Sequence, residues 1–255
     1  MKRRTRWTHR TTLLAVAGLA AAAVLVGPAA ADDVRPAATP DSLTPRGWVN
    51  QIGTFAYLTA PDYTGLAPIR SVVDDATIGL GTFNNLSGEL IIVNSTIYRV
   101  GIDGRPQIVP GHRTSPFVQA IRFTPQREMA IPRGTQCSQL APLIDQLAAT
   151  DRGVVAVRIT GTFRRLQTRS VAGQRKPYPA LADVIASQTV FTLDRTAATL
   201  VGFRTGTDLA GIGAPGLHLH GVTNDLRGGG HVLTCAAGKG VRLEVQRARG
   251  VRTLG

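Results

Sequence analysis

The run PGLHLHGVTNDLRGGGHVL, residues 215–233, constrains this chain more than any other stretch. It holds three of the five histidines in the sequence: His218, His220 and His231. If His218 and His220 lie on a β-strand, their side chains share a face, with Cβ atoms roughly 6–7 Å apart. One ion about 2.0–2.1 Å from each nitrogen can bridge them. Asn224-Asp225 and the triple glycine Gly228–Gly230 supply a turn, after which His231 returns on the next strand. Three histidines without an obvious fourth protein ligand describe a catalytic zinc more than a structural one, because a catalytic site leaves a position open. The alternative is three unrelated histidines, a surface pair and a core one. Cys235 shares strand parity with His231 but stands roughly 13 Å further along an extended strand, so it is left out of the ligand set.

The two ends read differently. Lys2, Arg3, Arg4, Arg6 and Arg10 precede an apolar, alanine-rich Thr12–Val26, and Ala29-Ala30-Ala31 precedes Asp32-Asp33. That order is a secretory signal peptide, residues 1–31, cut after Ala31. It predicts a secreted or extracytoplasmic protein with no stable membrane span after cleavage. Asp32–Arg46 is polar with three prolines and reads as a flexible spacer. Residues 47–255 then form the catalytic domain, long enough for a sizeable core. The formal net charge is +13. The arginines are scattered, aromatics are sparse and no nucleic-acid motif appears, so the charge is solvated surface plus one anion pocket rather than a nucleic-acid face. In an exported chain Cys137 and Cys235 are free to form a disulfide, but spacing does not show that they meet.

Hydrophobic period sets the fold class. Strands are predicted at Ile78–Phe83, Glu89–Val93, Thr96–Ile102, Phe117–Phe123 and Val154–Phe163. Shorter ones follow at Thr189–Leu193, Thr199–Phe203, Gly216–Gly221, Gly230–Cys235 and Val241–Val245. Helices are predicted at Gln136–Thr150, with Leu140, Leu143, Ile144 and Leu147 on one stripe, and at Pro179–Ser187, with Leu181, Val184 and Ile185 inward. The balance is an α+β fold: β-rich mixed or antiparallel sheets in two closely packed lobes with a few covering helices.

Two further groups can carry chemistry. In a strand through Phe163–Arg169, Phe163, Arg165, Gln167 and Arg169 share one face. A guanidinium there, on the metal's side, would grip a carboxylate through two parallel hydrogen bonds. Arg164 and Arg165 read better as exposed edge charges, and composition alone does not decide Arg169. Glu89 opens a strand after Gly88, where a buried carboxylate could deliver a proton, although an isolated glutamate at a strand start is usually solvated.

Taken together, IGLGTFNNLSGELI, TSPFVQAIRF, VRITGTFRRLQTRSVAGQRKPYPAL, TLVGFRTGTDLAGIGAPGLHLHGVTND and GGGHVL resemble the α-acetolactate decarboxylase family, in the family's order, from Ile78 to Leu233. The resemblance implies a zinc enzyme that converts (S)-2-acetolactate, a 2-hydroxy-3-keto acid, to (R)-acetoin and carbon dioxide, and a homodimer. It assigns Zn2+ to His218, His220 and His231, an active-site carboxylate to Glu89, an active-site guanidinium to Arg169 and a hydroxyl contact to Thr82. Two places depart from the family pattern. Ser87 stands where members commonly carry Asp. The tail QRARGVRTLG after Val245 has no acid where the family brings a second glutamate into the site. A cupin-like metal enzyme is the alternative on the HxH pattern, but it wants a glutamate shortly after, and GVTND has none. A catalytically idle binding protein on the same scaffold is the other alternative.

Overall fold

The computed structural model describes residues 46–73, 76–149 and 151–254. The predicted signal peptide, and all of the predicted spacer but Arg46, lie outside the described residues. The strands are β1 Trp48–Ile52, β2 Ala67–Pro68, β3 Ile78–Thr82, β4 Glu89–Val93, β5 Thr96–Val100, β6 Pro106–Ile108, β7 Thr114–Ser115 and β8 Val118–Ile121. They continue with β9 Arg127–Ala130, β10 Val154–Ser170, β11 Thr189–Thr205, β12 Gly216–Thr223, β13 Gly229–Ala237, β14 Arg242–Arg247 and β15 Gly250–Leu254. Four short helices accompany them: α1 Phe55–Thr59, α2 Arg70–Val73, α3 Leu140–Leu147 and α4 Leu181–Ala186. Among the described residues, no helix is long and apolar enough to cross a membrane.

Two large sheets carry the fold. One runs β15-β1-β8-β3-β4-β5-β6 and the other β11-β12-β13-β10-β14-β9, with β10 pairing again to β11. Pairing is antiparallel except between β1 and β15, which run parallel, so the first sheet is mixed, as expected. Ile78, Leu80 and Ile91 from the first sheet share one core with Ala156, Val201, Phe203 and Val222 from the second. The opposite face of the first sheet, including Leu90 and Ile92, packs with Val72 and Val73 of α2. The opposite face of the second, including Val155, Val157 and Ile159, packs with Leu140 and Ile144 of α3. Strands buried on both faces read as unbroken apolar runs, which is why Leu90-Ile91-Ile92 shows no polar alternation.

Several expectations need correction. Thr189–Leu193 and Thr199–Phe203 are one continuous strand, β11, held in register along nearly the whole of β10. The polar Asp194-Arg195 between them is exposed; backbone pairing does not require an apolar side chain there. The helix predicted over Gln136–Thr150 is a 3-10 turn at Cys137–Gln139 followed by α3, and the helix predicted over Pro179–Ser187 is trimmed to Leu181–Ala186. Gly229 and Gly230 belong to β13 rather than to the turn. Hydrophobic pattern alone assigns none of β1, β2, β6, β7, β9 and β15.

The most consequential difference is a bulge. The register of β10 against β13 shifts between Phe163 and Arg165. Phe163 and Leu166 therefore pack into the same core, although strict alternation would oppose them. A bulge inserts one residue and reverses the parity that follows. Phe163 thus does not share a face with Arg165, Gln167 and Arg169, contrary to expectation, and Arg169 turns toward the first sheet. A second shift lies between Gln167 and Thr168, opposite Leu233. It places Cys235 in the outer core, away from the face of His231, so the expected shared parity of those two residues is also lost. There Cys235 is bonded to Cys137.

Candidate metal centre

The histidines meet as the hairpin reading requires. His220 and His231 are direct register partners on β12 and β13, and Arg169 is the partner of His231 on β10. His218, two residues from His220, projects to the same side. The strands can approach this closely because glycines stand where they meet. A Cβ on Gly230, whose φ is +130°, would stand 2.4 Å from the Arg169 carbonyl oxygen. One on Gly202 would stand 1.9 Å from that of His218. The connection is a side-chain-capped turn: Thr223 Oγ1 donates to Asp225 Oδ1 (2.7 Å) and accepts from the Gly228 amide (3.0 Å).

Three ring nitrogens converge. His218 Nε2 lies 3.2 Å from His231 Nδ1, and His231 Nδ1 lies 3.3 Å from His220 Nε2. Metal–nitrogen bonds of 2.0–2.1 Å in a tetrahedron put ligand atoms about 3.3–3.4 Å apart, so these edges fit one ion. Protonation agrees. His220 Nδ1 is 2.8 Å from the Leu90 carbonyl, which only accepts, so the proton sits on Nδ1 and Nε2 offers its lone pair. Burial pushes His218 down to about 3, with Arg169 adding to the effect. Burial first, and neighbouring charges second, hold His220 and His231 well below the usual histidine range. All three imidazoles are neutral at physiological pH, as metal ligands must be.

Glu89 and Arg169 complete the polar end. Glu89 pairs with Thr82 across β3 and β4, and both are buried. The Arg169 Nη1 donates to Glu89 Oε1, while Glu89 Oε2 stands 3.3 Å from His220 Nε2. Since His220 is neutral, that second contact is not an ion pair. Burial drives Glu89 up to about 7, against the downward pull of Arg169. Thr82 Oγ1 donates to the Gly88 carbonyl at 2.9 Å, which leaves its lone pairs free to accept.

These groups line one end of a cavity of about 400 Å³. Most of its remaining wall is apolar, built from Phe55, Leu58, Phe117, Val184 and their neighbours. Thr82, Glu89, Arg169, His218, His220 and His231 all line this cavity. Arg164 and Arg165 are exposed, as expected. Glu244 is no substitute for a tail glutamate; it holds Arg158 through two hydrogen bonds, 2.6 and 2.9 Å long. Among the described residues, Glu89 is the one carboxylate that lines the cavity. Sequence reasoning missed Gln188, which also lines it. The available signal was its place seven residues after Leu181, on the same stripe as Val184 and Ile185, where an apolar residue would continue the pattern.

Residues 49–253 match the family model described as alpha-acetolactate decarboxylase. Among curated proteins of that name, the chain is 34% identical to one from Methanosarcina mazei, covering 74% of this chain and 66% of that one. It is 35% identical to one from Raoultella terrigena, covering 79% and 76%, and 30% identical to one from Brevibacillus brevis, covering 89% and 81%. The crystal structure of alpha-acetolactate decarboxylase from Bacillus subtilis superposes with a TM-score of 0.77 at 28% identity, covering 81% of this chain and 88% of that one.

Proposed function

The chain belongs to the alpha-acetolactate decarboxylase family, and we propose that it decarboxylates (S)-2-acetolactate to (R)-acetoin with zinc held by His218, His220 and His231. The observation that carries this reading is the convergence of three neutral imidazoles, one buried carboxylate and one guanidinium at one end of one cavity. When bound, the ion supplies a Lewis acid that draws electron density from the substrate ketone. The chain's own residues supply the rest. Arg169 spends one nitrogen on Glu89 and keeps its other N–H donors for the substrate carboxylate. The apolar wall takes the two methyl groups and excludes water, which strengthens each polar contact at the other end. Loss of carbon dioxide leaves an electron pair that must be protonated on one face. Burial lifts Glu89 to about 7, which suits a group that gives up a proton near neutral pH, and Oε2 is the oxygen that Arg169 leaves free to deliver it. Thr82 Oγ1 is placed to accept from a substrate hydroxyl.

The test is direct. Purified protein, dialysed against excess zinc and then freed of loose metal, should carry about one zinc per chain and should release acetoin from racemic acetolactate until about half is consumed. No acetoin from metal-loaded protein overturns the reading.

We also propose export, with cleavage after Ala31. The Cys137–Cys235 bond supports it, since structural disulfides belong to oxidising compartments. N-terminal sequencing of secreted material should begin at Asp32; a retained Met1 would count against it.

A further inference from the structure

The turn that joins β3 to β4 carries backbone strain beside the cavity. Asn85 and Leu86 have φ of +62° and +54°, and Gly88 has +96°. Glycine enters that region freely and asparagine tolerates it, but a leucine there is an outlier. Such strain persists only where the surroundings hold it, and it gathers at sites that need a fixed geometry. Here it has a visible result, because Leu86 is buried and lines the cavity. The turn also borders two of the polar groups. Thr82 closes β3 and donates to the Gly88 carbonyl at 2.9 Å, and Glu89 opens β4 directly after Gly88.

The turn is held in two halves. Asn85 is tied through its backbone, its N–H donating to the Tyr63 carbonyl and its own carbonyl accepting from the Gln174 N–H, both at 2.7 Å. The half next to Glu89 is held by Arg99 of β5, the register partner of Leu90, which reaches the turn from outside the cavity wall. Arg99 Nε donates to the Ser87 carbonyl at 2.7 Å and Nη2 donates to Ser87 Oγ at 3.1 Å. Both contacts come from one planar group, so they fix the orientation of Ser87 as well as its position. The β3–β4 ladder ends at the Thr82–Glu89 pair, and the Arg99 clasp lies just beyond that end. The next residue of β5, Val100, accepts from Ser170 Oγ at 2.8 Å, beside Arg169. One strand thus braces the turn and the segment that carries the guanidinium. We propose that Arg99 is a positioning residue for the decarboxylation: its two-point grip on Ser87 keeps the strained turn closed and so holds Thr82 and Glu89 in place at the polar end of the cavity. Ser87 offers Arg99 no charge, so the grip depends on these hydrogen bonds. The inference rests on reading the cavity as the acetolactate site.

Three variants test it, each loaded with zinc, with the thermal midpoint reporting on folding. Arg99→Met keeps the apolar stem and loses the fork. Arg99→Lys keeps one charged donor. Ser87→Ala removes only the Oγ contact. In Arg99→Met, kcat should fall by about tenfold, the worth of one hydrogen bond to a charged group, and the acetoin should lose enantiomeric purity because its proton donor no longer keeps one place. Arg99→Lys should recover part of both losses, and Ser87→Ala should show both to a smaller degree. A role in stability alone would lower the midpoint and leave the purity of the product unchanged. Wild-type purity from folded Arg99→Met therefore overturns the inference. If that variant does not fold, wild-type rate and purity from Ser87→Ala overturn it. Wild-type protein that makes no acetoin from acetolactate defeats the proposed function instead, and this inference with it.

Discussion

His220 and His231 face each other across adjacent strands as register partners, with His220 Nε2 and His231 Nδ1 only 3.3 Å apart. The backbone ladder sets the separation of their Cβ atoms, and the rotamers turn the two ring nitrogens toward each other. The candidate ligand set is therefore brought together by the fold itself, and little further ordering is needed for it to hold an ion.

Removal of ligands tests that geometry. His218→Ala together with His220→Ala leaves a single imidazole, and zinc content after dialysis should drop to near zero. Full occupancy in the double variant, read by atomic absorption, would sink the assignment.

Glu89→Gln keeps the shape and a hydrogen-bond acceptor for Arg169 but removes the proton carried near pH 7. Turnover should fall by roughly 10²–10⁴, the usual range for general acid–base catalysis, with zinc retained. The residual acetoin should also lose enantiomeric purity, because solvent delivers the proton from either face. Chiral chromatography that returns wild-type rate and purity would place the proton elsewhere.

Arg169→Lys preserves charge and loses the planar fork. Its expected signature is a lower kcat/KM at unchanged metal content. The pull of Arg169 on Glu89 is coulombic, and lysine keeps the charge, so the acid–base profile should stay near its wild-type position. A kcat/KM identical to wild type contradicts this division of labour.

The metal-free protein should weaken as pH falls below the unfolded histidine value of about 6.5. Burial depresses the three imidazoles in the folded state, so on acidification the unfolded chain takes up protons that the folded chain refuses. Glu89 acts in the opposite sense. Raised to about 7 from 4.5, it favours the folded state as pH drops through that window. Three groups outweigh one, and each net proton is worth up to about 1.4 kcal/mol per pH unit. The urea midpoint of chelator-treated protein should be lower at pH 5 than at pH 7; an equal or higher midpoint refutes the argument.

The Cys137–Cys235 bond closes a loop with a sequence separation of 98 and ties the turn before α3 to β13, the strand that carries His231. Replacing both cysteines by serine should cost roughly 2–5 kcal/mol of stability while leaving zinc stoichiometry intact, because neither sulfur faces the site. Chemical denaturation alongside metal analysis distinguishes the two effects; a loss of zinc in the folded variant would tie the bond to the metal centre.

Much of the site is local in sequence and was legible there. The HxH spacing, the turn residues and the returning histidine are separated by few residues, so strand parity alone predicts one shared face. The same holds for the α3 stripe. Resemblance supplied Thr82 and pointed to Glu89 and Arg169, which composition left open. Tertiary structure decided what parity could not. Strict alternation puts Arg169 on the face of Phe163, but the register shift in β10 reverses it and aims the guanidinium at Glu89. The second shift carries Cys235 away from His231 and onto Cys137. Pairing of β1 with β15 joins the two ends of the described domain, and Gln188 acquires meaning only as part of the cavity wall. A bulge, a disulfide and a cavity depend on which strands meet and in what register. Those are long-range relations, and a local hydrophobic period carries no record of them.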